Sequence, residues 1–159
     1  MSVVRNILLW ASKNEWLKKR IPEMKFVQRA VKRFMPGTTP ESAIEASGEL
    51  LKHNIPTTLT HLGENITTIE EAEENAQHYL KVLEKINNEQ LDIEISLKLT
   101  QIGLDLSFEK TFELFTNITE KANRLNNNVF IDIEDSSYAD KTIMFYKKVK
   151  EYYWYQIGT

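Results

Sequence analysis

The sequence predicts an α/β fold in which the strands of a parallel sheet alternate with long helices along the chain. Further helices are predicted before them at the N-terminus. Three segments of strand-like composition begin near residues 57, 91 and 129, and each is followed by a helical pattern of roughly 17–20 residues. Successive parallel strands need crossover helices of this kind. The five glycines form neither G-x-G-x-x-G nor a phosphate loop, which favours a (β/α)8 barrel over a doubly wound sheet.

The composition is typical of a globular domain that uses no cysteine chemistry. Of 159 residues, 42% are hydrophobic, and the length suits one domain. The absence of cysteine excludes disulfides, thiolate zinc sites and a cysteine nucleophile, and it fits a reducing compartment. The apolar run at residues 7–11 is much shorter than the ~20 residues of a bilayer span. We therefore expect a cytoplasmic protein.

Residues 1–35 form a basic region. They carry nine Lys or Arg side chains and two Glu, a net charge of +7, whereas the rest of the chain carries −10. One or two amphipathic helices with a solvated basic face are the favoured interpretation, and a peripheral contact with anionic lipid at the inner face of the membrane is the alternative. Nothing in the region is typical of base recognition, so we expect no nucleic-acid partner.

The first helix of the repeat region begins at residues 39–42, TPES, with proline in its first turn, and it ends near Asn54. The second strand segment alternates strictly between apolar and polar residues, which is typical of a strand with two distinct faces. We predict residues 1–55 as an N-terminal helical region and residues 56–159 as the strand–helix region. The strands are predicted at residues 57–62, 91–99 and 129–133.

Each strand is followed by a helix whose first residue is marked by a capping side chain. Residues 68–71, TIEE, form a capping box, Ser107 can cap the next helix, and Ser137 with Asp140 opens the last. Helical spacing of apolar residues then predicts the buried face of each helix. For the last helix this face is Ile143, Tyr146, Val149 and Tyr153.

Alternation along the second and third strands places Lys98 and Asp132 on the faces that point into a barrel. Both lie near the carboxyl ends of neighbouring strands, where barrel enzymes carry their chemistry. Because Lys and Asp are rarely buried without a partner, they are expected to pair with each other or with a ligand. A structural ion pair, or a lysine extended to solvent, is the alternative interpretation.

Other polar residues are weaker candidates. His53 and His78 are interpreted as residues on helix surfaces, and the three histidines lack the spacing of a helical metal site. His61 follows the first strand and is therefore kept as a candidate at the same rim. Glu134 and Asp135 close the third strand and are expected either to hold the rim by hydrogen bonds or to cap the following helix.

Three motifs in order resemble the proline dehydrogenases, which are flavin-dependent enzymes built on a distorted (β/α)8 barrel. The resemblance covers roughly residues 30–159, and the N-terminal helices also look like those of the compact bacterial members. The motifs are LGE at residues 62–64, SLKLTQIGLD at residues 96–105 and IDIEDS at residues 131–136.

The resemblance implies that FAD accepts a hydride from L-proline, giving 1-pyrroline-5-carboxylate, and that the electrons pass to a quinone. Lys98 matches the lysine that contacts the substrate, and Asp132 matches the aspartate assigned a catalytic role. Ile133 matches a position whose backbone touches the flavin. Thr60 stands where the family often has an acid, which leaves a first-strand contact in question.

The strand period predicts only part of such a barrel. At about 35 residues per unit a fourth strand is due near residue 157, whereas eight strands close the barrel. We therefore expect an N-terminal portion of an incomplete (β/α)8 barrel, with about three βα units, that is inactive alone. The alternative functions are a non-catalytic interaction module that uses an open sheet edge, and a membrane-surface adaptor driven by residues 1–35.

Overall fold

The computed structural model describes residues 39–63 and 66–157, together with residues 10, 14, 20, 24 and 27, and it describes side chains as far as residue 153. The chain divides into two compact units, residues 1–46 and residues 47–159. The predicted N-terminal helices and the basic region lie largely outside the described residues. The predicted domain division after residue 55 stays a prediction.

Three βα units follow one another along the chain, which confirms the predicted α/β class and the partial barrel. The strands form one parallel sheet in the order β1-β2-β3. A short 3-10 helix, Leu99–Ile102, follows β2. The elements are α1 (Pro40–Leu51), β1 (Thr57–Thr60), α2 (Ile69–Asn88), β2 (Ile93–Lys98), α3 (Phe108–Arg124), β3 (Val129–Asp132) and α4 (Ala139–Ile157).

The central strand β2 forms the core of the sheet. Ile93, Ile95 and Leu97 are wholly buried on the face that α2 covers, and the alternating residues between them lie on the other face. Burying each aliphatic side chain contributes roughly 1.5–3 kcal/mol, so this apolar row fixes which face of β2 meets the helices. A shift of register by one residue would turn every one of these side chains to the opposite face.

The start of α2 has the capping box that the sequence predicts. The Thr68 hydroxyl accepts a hydrogen bond from the Glu71 amide at 3.3 Å, and the Glu71 carboxylate accepts one from the Thr68 amide at 3.2 Å. The amides of Thr67 and Thr68 hold the pKa of Glu71 below its usual value. At the start of α3, Ser107 likewise accepts from the Lys110 amide.

Thr68→Ala is expected to lower the free energy of unfolding by about 1 kcal/mol, because an amide at the start of α2 loses its acceptor. Urea unfolding followed by circular dichroism measures the change. Thr68→Ser is the matched control, since it keeps the hydroxyl and should recover most of the loss. Equal losses in the two variants would show that the capping bond contributes nothing.

The last helix begins differently from the prediction. Ser137 does not cap it: the Ser137 amide and hydroxyl both donate to the Asp135 carboxylate, at 2.7 and 2.6 Å, and α4 begins at Ala139. These bonds hold the pKa of Asp135 below its usual value. Asp135 therefore shapes the turn before α4, because a short side chain at a turn competes for the nearby amides.

The buried face of α4 also differs in part from the prediction. Val149 is buried, but Ile143 and Tyr146 are 46% and 55% exposed. Phe145, which the prediction left out, is fully buried, and its ring meets those of Phe108, Phe112 and Phe115 edge-on, with centroids 5.4, 5.9 and 5.4 Å away. α4 has apolar residues on two sides, one with Ile143 and Tyr146 and the other with Phe145. The side with Phe145 is buried because it packs against the aromatic rings of α3.

Gly103 ends the 3-10 helix after β2 in the left-handed conformation, at φ 104°. A Cβ atom at this position would lie 3.3 Å from the Thr111 hydroxyl and 3.4 Å from the Cβ of Ala72. Both the backbone angle and the close packing therefore require glycine. The turn that it makes leads the chain from the rim of β2 into α3.

Candidate active site at the carboxyl ends of the strands

The ends of β2 and β3 bring Lys98 and Asp132 side by side. The parallel register makes their Cα atoms direct partners. The Ser96 hydroxyl donates to the Asp132 carboxylate at 3.1 Å, which places Asp132 on the sheet face that carries Ser96. Lys98 is two residues beyond Ser96 in the same strand and so shares that face. Lys98 and Asp132 are both part-buried, and they form a polar rim with Ser96 at its base.

A second pair of residues links the same two strand ends beyond the ladder. The Thr100 hydroxyl donates to the Glu134 carboxylate at 2.8 Å. Nearer the helices, the Tyr138 hydroxyl donates to the Asp105 carboxylate at 2.6 Å, which raises the pKa of Tyr138 to about 12. Glu134 thus holds the rim by a hydrogen bond, one of the two functions considered for it.

A buried amide joins the ends of β1 and β2. Gln101 is 1% exposed, and its Oε1 accepts from the Lys98 amide at 3.2 Å and from the Tyr79 hydroxyl at 3.0 Å. Its Nε2 donates to the His61 carbonyl at 2.6 Å, and the His61 amide donates to the Tyr79 hydroxyl at 3.2 Å. Burial raises the pKa of Tyr79, so this hydroxyl stays protonated at neutral pH.

His61 lies directly after β1 and packs against His78 of α2. Their ring centroids are 4.3 Å apart, and the edge of the Tyr79 ring faces His61. His78 is half-buried, so its interpretation as a helix-surface residue is corrected, whereas His53 is exposed as expected. Within the described part of the chain no three His, Asp or Glu side chains are grouped as metal ligands.

Protonation of His78 is expected to weaken the fold. Burial first, and then the charges of His61 and Lys81, lower its pKa below the usual 6.5. The unfolded chain therefore binds this proton more readily, so the free energy of unfolding should be constant above about pH 6.5 and should fall as the pH drops toward the lowered value. Urea midpoints measured between about pH 5 and 8 test this dependence. His78→Gln should flatten it, and an unchanged slope would contradict the assignment to His78.

Ile133 stands directly after β3, next to Asp132, and is 57% exposed. Its side chain lines an apolar groove of about 440 Å³ between β3 and α4. No described strand lies on this side of β3, since β2 occupies the other side. The groove is lined by Phe115, Phe130, Ile133, Ile143, Tyr146 and Val149.

Sequence patterns indicated some of these residues and missed others. Alternation in β2 indicated Lys98, and the same pattern in β3 indicated Asp132. Gln101 and Tyr79 were not singled out, because Gln101 follows the predicted second strand and Tyr79 lies within a helical pattern, and neither position indicates a hydrogen-bond partner. Its place in the motif at residues 96–105 was the available signal for Gln101. Thr60 is exposed, and Glu64 of the LGE motif lies outside the described residues.

The family model and the curated relatives that match this chain have the same description. The family model described as proline dehydrogenase matches residues 43–158. Proline dehydrogenase 1 of Bacillus subtilis subsp. natto is 34% identical over 149 residues, which are 94% of this chain and 49% of that protein. Proline dehydrogenase 2 of the same organism is 28% identical over 153 residues, or 96% of this chain and 50% of that protein. The chain spans about half the length of these curated relatives.

A solved structure has a similar fold. It is the crystal structure of proline utilization A (PutA) from Bdellovibrio bacteriovorus inactivated by N-propargylglycine, with a TM-score of 0.70 over 77% of this chain and 15% of that one. The sequence identity is 16%, so this similarity concerns the fold alone. No helix in the described residues has the length and apolar character needed to cross a bilayer.

Proposed function

Because the chain belongs to the proline dehydrogenase family, we propose that it supplies part of an FAD-dependent site that oxidises L-proline to 1-pyrroline-5-carboxylate. The observation that carries this proposal is that Lys98 and Asp132 are direct partners in the register of β2 and β3, at the carboxyl ends of these strands. That rim is where barrel enzymes bind their substrates. We propose a quinone as the electron acceptor. We also propose that residues 1–35 contact anionic lipid at the membrane surface.

The residues at the rim suit the two ends of the proposed substrate. Lys98 carries a positive charge that favours the proline carboxylate through a charge-assisted hydrogen bond. Asp132 carries a negative charge that balances the lysine and the cationic ring nitrogen of the substrate. Ser96 holds Asp132 by its hydroxyl at 3.1 Å, so the carboxylate is oriented before a ligand arrives.

The exposure of Ile133 suits contact with a flat cofactor. Ile133 is 57% exposed and adjoins Asp132, so a planar ring system can approach this point of the rim without displacing a buried side chain. When bound, the flavin supplies the hydride acceptor. The protein's own residues bind and orient the substrate and set the charge around it.

A chimera tests the proposal. This chain replaces the matched half of Proline dehydrogenase 1 of Bacillus subtilis subsp. natto, and bound flavin and proline-dependent dye reduction are measured. We expect a yellow, active chimera and, for the 159-residue chain by itself, neither flavin nor turnover. A folded chimera without flavin would contradict the proposal, and an active 159-residue chain would contradict its inactivity alone.

The apolar groove beside β3 favours a second candidate function, a non-catalytic interaction module. Phe130, Ile133, Ile143 and Tyr146 are 46–57% exposed, and together they form an apolar surface next to a strand edge. Such a surface is suited to pairing with another strand. Light scattering distinguishes the candidates, because a monodisperse monomer would count against an interaction module.

A further inference from the structure

The Gln101 side chain hydrogen-bonds to the ends of both β1 and β2. It reaches the His61 carbonyl after β1 through Nε2 and the Lys98 amide at the end of β2 through Oε1. Tyr79 adds a third bond from α2. The amide is 1% exposed, so none of these bonds competes with bulk water.

This arrangement is specific to an amide side chain. The Lys98 amide and the Tyr79 hydroxyl need an acceptor, whereas the His61 carbonyl needs a donor, and a glutamine offers both on one planar group. An apolar residue of similar volume fills the same space but makes none of the three bonds. The bonds therefore extend the link between β1 and β2 beyond their last ladder pair, Thr60 with Ser96.

We propose that Gln101 is a positioning residue for the rim: it sets the backbone of Lys98 against the turn at residues 61–63, so that the Lys98 ammonium meets the substrate carboxylate. The proposal deepens the proposed function and rests on it for the identity of the substrate. The placement of Lys98 itself is measurable without a substrate.

Three substitutions separate the bonds. Gln101→Met removes all three and keeps the approximate volume. Gln101→Glu, measured above the pH at which its buried carboxyl loses its proton, keeps acceptors for Lys98 and Tyr79 but has no donor for the His61 carbonyl, so the link to β1 is lost selectively. Tyr79→Phe is the matched control, because it removes the hydroxyl that bonds Gln101 and the His61 amide but leaves the bonds from Gln101 to His61 and to Lys98 in place.

The first measurement uses the full 159-residue chain with 15N-labelled lysine. In Gln101→Met and Gln101→Glu we expect the Lys98 amide resonance to shift, and in Tyr79→Phe we expect it to stay near its original place. Should Gln101→Met fail to fold, Gln101→Glu and the control still decide the matter. An unmoved Lys98 resonance in both Gln101 variants would overturn the proposal.

The second measurement uses the chimera with Proline dehydrogenase 1. Gln101→Met is expected to raise the KM for L-proline about tenfold with a smaller change in kcat, since one well-placed charge contact is lost. A merely structural residue would lower the folded fraction and leave KM unchanged, and that result would overturn the positioning role. If the unsubstituted chimera is inactive, the proposed function fails, and the lysine resonance alone decides the role of Gln101.

Discussion

Phe145→Ala is expected to lower the free energy of unfolding by about 3–5 kcal/mol, the largest change among the substitutions considered. The ring is fully buried, and three phenylalanine rings of α3 surround it at centroid distances of 5.4–5.9 Å. Removing it takes away transfer energy, leaves a cavity and breaks edge-to-face contacts. Since small domains have about 5–15 kcal/mol in total, the variant should be close to unfolding.

Urea unfolding followed by far-UV circular dichroism measures this effect. Met144→Ala is the matched control, because Met144 neighbours Phe145 in α4 and is 56% exposed. Its substitution should change the free energy of unfolding by less than about 0.5 kcal/mol. Similar losses in both variants would show that α4 does not dock on α3 through Phe145.

Lys98→Met in the chimera is expected to raise the KM for L-proline about 10–100-fold. A hydrogen bond to a charged group contributes roughly 1.5–3 kcal/mol, and each 1.4 kcal/mol is a factor of ten. Methionine keeps the length of the side chain but removes the charge that the carboxylate of proline needs. Steady-state dye reduction at varied proline concentration gives KM and kcat separately.

Lys52→Met is the control for a general effect of lost charge. Lys52 lies 2.6 Å from Glu49 at the end of α1, with 68% of its side chain exposed. Its loss should leave KM within about twofold, because exposed ion pairs contribute little. A KM in Lys98→Met equal to that of the control would exclude Lys98 from substrate binding.

The sequence predicted the repeat and the strand faces well, because local patterns determine both. The alternation in β2 is strict, and burial of Ile93, Ile95 and Leu97 leaves Lys98 on the opposite face. β2 ends at Lys98, one residue before the predicted end. The cause is local, because the backbone there turns into the 3-10 helix that Gly103 ends. Such turns are weakly encoded in apolar–polar alternation.

Features that depend on distant contacts were predicted poorly. On α4 two sides are apolar, and only the rings of α3 decide which one is buried. The packing of His61 on His78 joins a strand end to a helix 17 residues later, so no local spacing indicates it. The bonds of Gln101 likewise join three separate elements, and a single glutamine in the sequence does not show its partners.

The bridges that join the ends of β2 and β3, and the segments that follow these strands, have a dynamic consequence. Ser96 with Asp132, Thr100 with Glu134, and Tyr138 with Asp105 join these segments at three successive levels. Breaking one bridge leaves the other two, so the two loops should open together rather than one at a time. Amide hydrogen–deuterium exchange should then show a single common opening free energy for both loops, so that they behave as one cooperative unit.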